Sequence, residues 1–247
     1  VGSSFAKSLA QTLSIPMTDV DHMKAHIHSV FLKNEGDKYP KFPFLSLTVS
    51  GGHTQLVVVN DYNDFKKIGN TLDDAAGEAF DKTSKFLGLG YPGGPIIDIL
   101  SKKGNPIFKF SKPKIKDYDF SFSGLKTSII YFIKKELKEN SKFIEDNIND
   151  LCSSIQHSIV EILVEKTIKC AIDLNIKQIC IVGGVSANSH LREKLNSECL
   201  INKFDLFYPR INYCTDNAAM IAVSGYFNHL NGKFSDLDKV IDSRLSF

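Results

Sequence analysis

Two histidines four residues apart, His22 and His26, are the first side chains in this chain whose spacing could do chemistry. On a helix that spacing puts both on one face, roughly 5–6 Å apart at Cβ, close enough to converge on one divalent metal. A zinc protease with this spacing carries glutamate directly after the first histidine as general base. Here that position is Met23, so the segment has a metal-binding pattern without the hydrolytic base. The same pattern also arises by chance on helix surfaces and in packed interfaces, and a third ligand must come from elsewhere. His28 lies two positions on and points to a different helix face.

A carboxylate candidate stands far downstream. Cys214-Thr215-Asp216-Asn217 opens the last helical pattern, and an aspartate there reads either as a helix cap, worth about 1 kcal/mol, or as a ligand. Two histidines and one carboxylate leave open positions of the sort used by ferrous iron or catalytic zinc.

Two glycine turns supply a second kind of chemistry. Thr48-Val49-Ser50-Gly51-Gly52-His53 ends one apolar run, and Val182-Gly183-Gly184-Val185-Ser186-Ala187-Asn188 ends another and leads into a helix. Glycine lets backbone N–H groups approach an anion without an intervening Cβ, and a following helix N-terminus favours phosphate. Each turn alone is equally well a tight turn; the pair reads as two sides of a nucleotide cleft. Neither carries the Gly-Lys-Ser/Thr of a P-loop, nor a GxGxxG fingerprint. Further candidates are Asp81 in a helical run, Gly93-Gly94 with Asp98 one turn on, and the Ser-rich aromatic run 120–126.

The elements that must place these residues alternate between strand and helix. Apolar, β-branched runs at 44–49 and 55–59 around the first Gly-Gly predict paired strands, with another strand at 178–182 and a short one at 206–208. Helical periodicity spans 75–87, 94–103, 125–138, 148–174, 188–199 and 217–230. The chain is therefore α/β.

Composition bounds the function. At 247 residues, 43% hydrophobic and 23% charged, the chain buries roughly 70–75% of its unfolded surface as one large or two small domains. No apolar run approaches the roughly 18–20 residues needed to span a bilayer, and no signal peptide is present. Five scattered cysteines without a CxxC read as reduced thiols of a cytoplasmic protein. A net charge of +2 does not itself demand nucleic acid. Lys102, Lys103, Lys109, Lys112, Lys114 and Lys116, interleaved with Phe108 and Phe110, could contact phosphate, but such runs more often form a solvated loop. The sequence opens on Val1 directly in a helical pattern, which points to a missing N-terminal portion.

Taken together, HxxxH, SGGHTQL, DDAAGEAFDK, GYPGGP, FSFSGLKT, GGVSAN and TDNAAM occur in the order of the TsaD family, which this chain resembles along essentially its whole length. These are tRNA threonylcarbamoyladenosine transferases of the actin-like, Hsp70 and sugar-kinase superfold. The resemblance implies two RNase H-like lobes with the first incomplete: residues 1–42 plus 217–247 as the remainder of the first lobe, 43–216 as the second. It implies that His22, His26 and Asp216 bind one Fe(II) or Zn(II). It also implies nucleotide contacts at Thr48, Val49, Ser50, Gly51, Gly52, Asp81, Gly94, Asp98 and Asn188. Threonylcarbamoyl-AMP would be the donor, and the acceptor the adenosine 3′ of the anticodon in tRNAs reading ANN codons. His53 is a candidate proton acceptor or merely a turn residue. TsaB-like and TsaE-like subunits would be partners. Competing readings are a small-molecule carbamoyltransferase or kinase of the same superfold, and a non-enzymatic partner subunit.

Overall fold

The computed structural model describes residues 1–32 and 37–242; positions 33–36 and 243–247, within the expected first-lobe remainder, lie outside the described residues. Five strands form one sheet: β1 (Phe44–Val49), β2 (Thr54–Asp61), β3 (Asp64–Asn70), β4 (Gln178–Val182) and β5 (Asp205–Phe207). Their order is β3-β2-β1-β4-β5. β1 pairs antiparallel with β2 and parallel with β4, β4 is parallel to β5, and β3 is antiparallel to β2.

β1 is central and buried along its whole length because both of its faces are covered. Leu45, Leu47 and Val49 join the large core with α3 (Ala76–Phe86), α4 (Gly93–Ser101), α5 (Ser123–Glu139), α6 (Phe143–Asp173) and α7 (Ser189–Asn202). The alternate positions, beginning with Phe44, face the opposite side, where α2 (His22–His28) contributes Ile27 to a second cluster with Val57, Val59, Cys180 and Val182. α1 (Gly2–Leu13) and α8 (Ala218–Leu230) complete the described α-helices.

Most expected elements are present within a few residues, and β3 is the addition. It is an edge strand carrying Lys66 and Lys67, with only two apolar side chains and no clean alternation, so its sequence lacks a strand signal. The expected helix start at 148 coincides with a kink: α6 begins earlier, at Phe143, but Asn147 is non-helical (φ −122°, ψ 15°). No described helix is long and apolar enough to cross a membrane. All five cysteines are free and buried, and burial pushes the Cys152, Cys170 and Cys199 thiols up to about 12.

His28 fastens α2 to its neighbours. Nδ1 pairs with Ser224 Oγ on α8 at 2.9 Å and Nε2 with the Tyr62 carbonyl at 2.9 Å, while Phe31, Phe65 and Phe227 surround the ring. Burial, reinforced by the Lys24 charge and opposed by the Tyr62 hydrogen bond, pulls its pKa from 6.5 down to about 4. The unfolded chain therefore binds a proton between those values that the folded chain does not, so stability is full above about pH 6.5 and falls towards pH 4. The loss attributable to this ring is about 3 kcal/mol. The urea midpoint is expected to drop between pH 7 and pH 5, and His28→Gln to flatten that drop.

Candidate metal centre and nucleotide cleft

Local capping decides what His22, His26 and Asp216 are free to do. Asp21 caps α2 by accepting the Lys24 N–H at 2.9 Å, leaving both histidines unused by the backbone. At the other end Ser29 Oγ donates to the His26 carbonyl at 2.6 Å. On α8 the cap is Asn217, whose Oδ1 accepts the Met220 N–H at 2.9 Å. Asp216 is thereby released from the capping role its position suggested.

The released carboxylate meets both imidazoles. Asp216 Oδ1 lies 3.4 Å from His22 Nε2 and 3.1 Å from His26 Nε2, and the two rings stand edge-on with centroids 4.8 Å apart. One donor atom from each of the three residues lies within 4.8 Å of the others, and no other such trio exists among the described residues. The donor chemistry, two imidazole nitrogens and one carboxylate oxygen, fits a divalent transition metal. The partners differ in burial: the His26 side chain is 3% exposed, His22 52% and Asp216 77%. Burial, with the His22 charge, lowers the His26 pKa despite Asp216, which favours the neutral ring a metal requires. His26 Nδ1 is buried without a partner among the described residues, so the ring is held by packing and by the Asp216 contact at Nε2.

The first glycine turn abuts this centre. His53 follows it, and burial together with the His22 charge lowers its pKa. The turn is closed by Ser50 N–H to the His53 carbonyl (2.8 Å) and His53 N–H to Ser50 Oγ (3.1 Å). Gly51 and Gly52 have open space where a side chain would be. β1 and β4 are parallel, so both glycine turns emerge at the same edge of the sheet, their carboxyl ends, where α/β folds bind ligands. Gly183, at φ +88°, is pressed onto β1: a Cβ there would lie 2.4 Å from the Val49 carbonyl oxygen. Gly77 likewise would place a Cβ 2.5 Å from the Ser50 carbonyl oxygen, and its N–H donates to that oxygen at 3.2 Å.

The remaining expected nucleotide residues sit in two linked groups. Asp81 Oδ1 accepts the Gly93 N–H at 2.7 Å, fixing the start of α4 beside Gly94, which is itself unobstructed. Asp98 Oδ1 accepts from Ser189 Oγ (2.7 Å) and Ser189 N–H (3.2 Å). Asn188 caps α7 through Leu191 N–H and donates to Gln156 Oε1 at 2.7 Å. Gln156 in turn donates to Ser101 Oγ at 2.8 Å. Asp98 and Asn188 thus belong to one network across α4, α6 and α7. Asp73 and Gln156 are organising residues that sequence reasoning did not single out. Asp73 accepts the Phe122 N–H (2.8 Å) and tethers the start of α5, yet nothing about an Asp-Asp pair before a helix marks that long-range role.

The lysine-rich stretch divides. Lys112 pairs with Glu161 and Lys102 with Asp98, while Phe108 and Phe110 turn inward onto Phe132. A groove of about 500 Å³ between α6 and α7 is lined by none of the expected site residues.

Residues 1–223 match the family model "TsaD: tRNA N6-adenosine threonylcarbamoyltransferase". The chain belongs to this family. A TsaD relative named tRNA N6-adenosine threonylcarbamoyltransferase from Riemerella anatipestifer is 52% identical over 245 residues, covering 99% of this chain and 72% of the relative. A second of that name, from Thermotoga neapolitana, is 47% identical over 251 residues, covering 100% and 73%. The TsaD chain is an acyltransferase acting on tRNA. Among solved structures, the crystal structure of T. kodakarensis HypF superposes with a TM-score of 0.65 at 14% identity, covering 94% of this chain and 39% of that one. That likeness is one of fold, the actin-like superfold, and bears out the α/β expectation.

Proposed function

We propose that the TsaD chain transfers threonylcarbamoyl from threonylcarbamoyl-AMP to N6 of the adenosine 3′ of the anticodon, in a cleft between the His22–His26–Asp216 centre and the glycine turns. The observation that carries this reading is the meeting of three ligand-type atoms within 4.8 Å beside an unobstructed Gly-Gly turn. When bound, one Fe(II) or Zn(II) on those three residues supplies Lewis-acid polarisation of the acyl carbonyl.

The protein's own groups do the rest. Ser50, Gly51 and Gly52, with Thr48 and Val49 behind them, present backbone to the phosphate. Asp81 holds the α4 start so that Gly94 lies open to the nucleotide, and Asp98 with Asn188 fixes the opposite wall. Within that frame the adenosine N6 attacks the carbamoyl carbon, and the bond from that carbon to the phosphate oxygen breaks. AMP leaves with the electron pair, and the amine gives up a proton, for which His53 is the candidate acceptor. An unpaired loop base reaches such a site more readily than a duplex one.

In this reading residues 1–42 and 217–247 belong to the first lobe and 43–216 to the second. The protein works in the cytoplasm with TsaB-like and TsaE-like subunits. Labelled threonylcarbamoyl presented as its adenylate, with those subunits and tRNA, is expected on the tRNA; no transfer under those conditions refutes the reading. Metal analysis of His22→Ala and Asp216→Ala is expected to show reduced stoichiometry, and full occupancy in either variant removes that residue from the ligand set.

A further inference from the structure

The outward stripe of α5 is unexplained by the site itself. Thr127, Tyr131, Lys134, Lys135 and Lys138 recur at helical spacing on the face turned away from the core, whose side carries Leu125, Ile129 and Ile133. Tyr131 is 69% exposed and takes no part in the core. Lys134, Lys135 and Lys138 are exposed and form no ion pair with a described residue. Glu139 is the one acid at the edge of the stripe, and Glu136 is turned partly inward.

Two neighbours extend the positive surface. The segment around Phe108 and Phe110 is held on α5 by the two rings and by the Ser111 N–H to Ser128 Oγ at 3.0 Å, which leaves Lys109 exposed between them. Lys142 stands exposed just beyond the helix C-terminus. Lysines whose charge is already taken, Lys112 and Lys126, lie outside this set.

The stripe also has a direction. The start of α5 is tied to Asp73 through the Phe122 N–H and to Asp74 through Lys126 Nζ (2.6 Å). Those aspartates directly precede α3, whose Gly77 rests on the Ser50 carbonyl of the glycine turn. From Ser123 to Lys138 the helix runs about 22 Å away from the cleft.

We propose that the outer face of α5, with Tyr131, Lys134, Lys135 and Lys138 flanked by Lys109 and Lys142, is the surface that carries the tRNA backbone while the target base occupies the cleft. The occupant follows from charge: uncompensated lysines in a row fit a polyanion, and the acceptor of this enzyme is one. An exposed tyrosine among them offers a stacking platform for an unpaired base.

The test is tRNA binding by the complete protein at several salt concentrations, independent of turnover. Lys134→Gln/Lys135→Gln/Lys138→Gln is expected to weaken binding on the order of 10-fold at low salt and to reduce the slope of log K against log salt by about 3. Melting temperature, metal content and adenylate affinity should stay at wild-type values. Tyr131→Ala is expected to cost about 5-fold or more, with Tyr131→Phe restoring it. A triple variant remote from the stripe, Lys177→Gln/Lys203→Gln/Lys233→Gln, removes the same charge and should leave the slope within about one of wild type. An unchanged slope in the α5 variant, or an equal loss in the remote one, overturns the proposal. It rests on tRNA being the acceptor. Wild-type protein that binds tRNA through this face without transferring to it would count against the reaction, not the face.

Discussion

His26→Ala is expected to lower threonylcarbamoyl transfer by about 100-fold or more, which corresponds to about 2.7 kcal/mol of transition-state stabilisation. His26 is the buried member of the triad and lies nearest Asp216, so no solvent or neighbouring side chain replaces it. His22 stands half-exposed on the first turn of α2, and water can take its coordination position more readily. The expected order of loss is therefore His26→Ala greater than His22→Ala, each with a parallel fall in metal content. Asp216→Asn separates charge from shape: it keeps a donor oxygen in place and should retain part of the metal while losing affinity. The readouts are steady-state transfer and metal stoichiometry on the same preparations. Wild-type transfer by a His26→Ala protein shown to lack metal would refute a catalytic role for the centre.

The second large effect lies in the glycine turns, where two classes of glycine behave oppositely. Gly183→Ala is expected to destabilise the protein by about 2–5 kcal/mol. It places a Cβ 2.4 Å from the Val49 carbonyl oxygen, and forces a side chain into a conformation that only glycine adopts comfortably. That is a large part of a typical domain stability of about 5–15 kcal/mol, and corresponds to a melting temperature lowered by roughly 5–15 °C. Gly77→Ala is expected to act similarly, because the obstructing atoms are backbone atoms of Ser50 and Gly51 rather than a mobile side chain. Gly51→Ala, with open space at the same position, should melt like wild type and lose adenylate affinity instead. Equal melting of Gly183→Ala and Gly51→Ala would refute the distinction between structural and ligand-facing glycines.

Much of this arrangement was legible in the residues. Period-2 and continuous apolar runs marked β1, β2 and β4, and helical spacing marked the large helices, because those segments bury one or both faces and so carry a strong pattern. β3 escaped because an edge strand needs no such pattern. The candidate metal centre was half legible: His22 and His26 follow from local spacing, whereas Asp216 joins them only through tertiary packing. Its position at a helix start reads equally as a cap or a ligand, and Asn217 fills the capping role. The division of glycines into obstructed and open depends on the neighbouring backbone, which no local spacing encodes. The Gln156 bridge between Ser101 and Asn188 is likewise a product of three helices meeting.

The antiparallel β2–β3 ribbon and its pairing with β1 are complete early in the chain, but β4 comes more than a hundred residues later and α8 is the last described helix. During synthesis, therefore, His22 and His26 wait for a carboxylate that does not yet exist, with the aromatic partner Phe227 and the hydroxyl of Ser224 also still to come. Nascent chains arrested before Asp216 would display the imidazole pair without the carboxylate that meets it in the finished fold. An ion held by His22, His26 and Asp216 would close residues 22–216 into one loop, and could do so only after all three had been made.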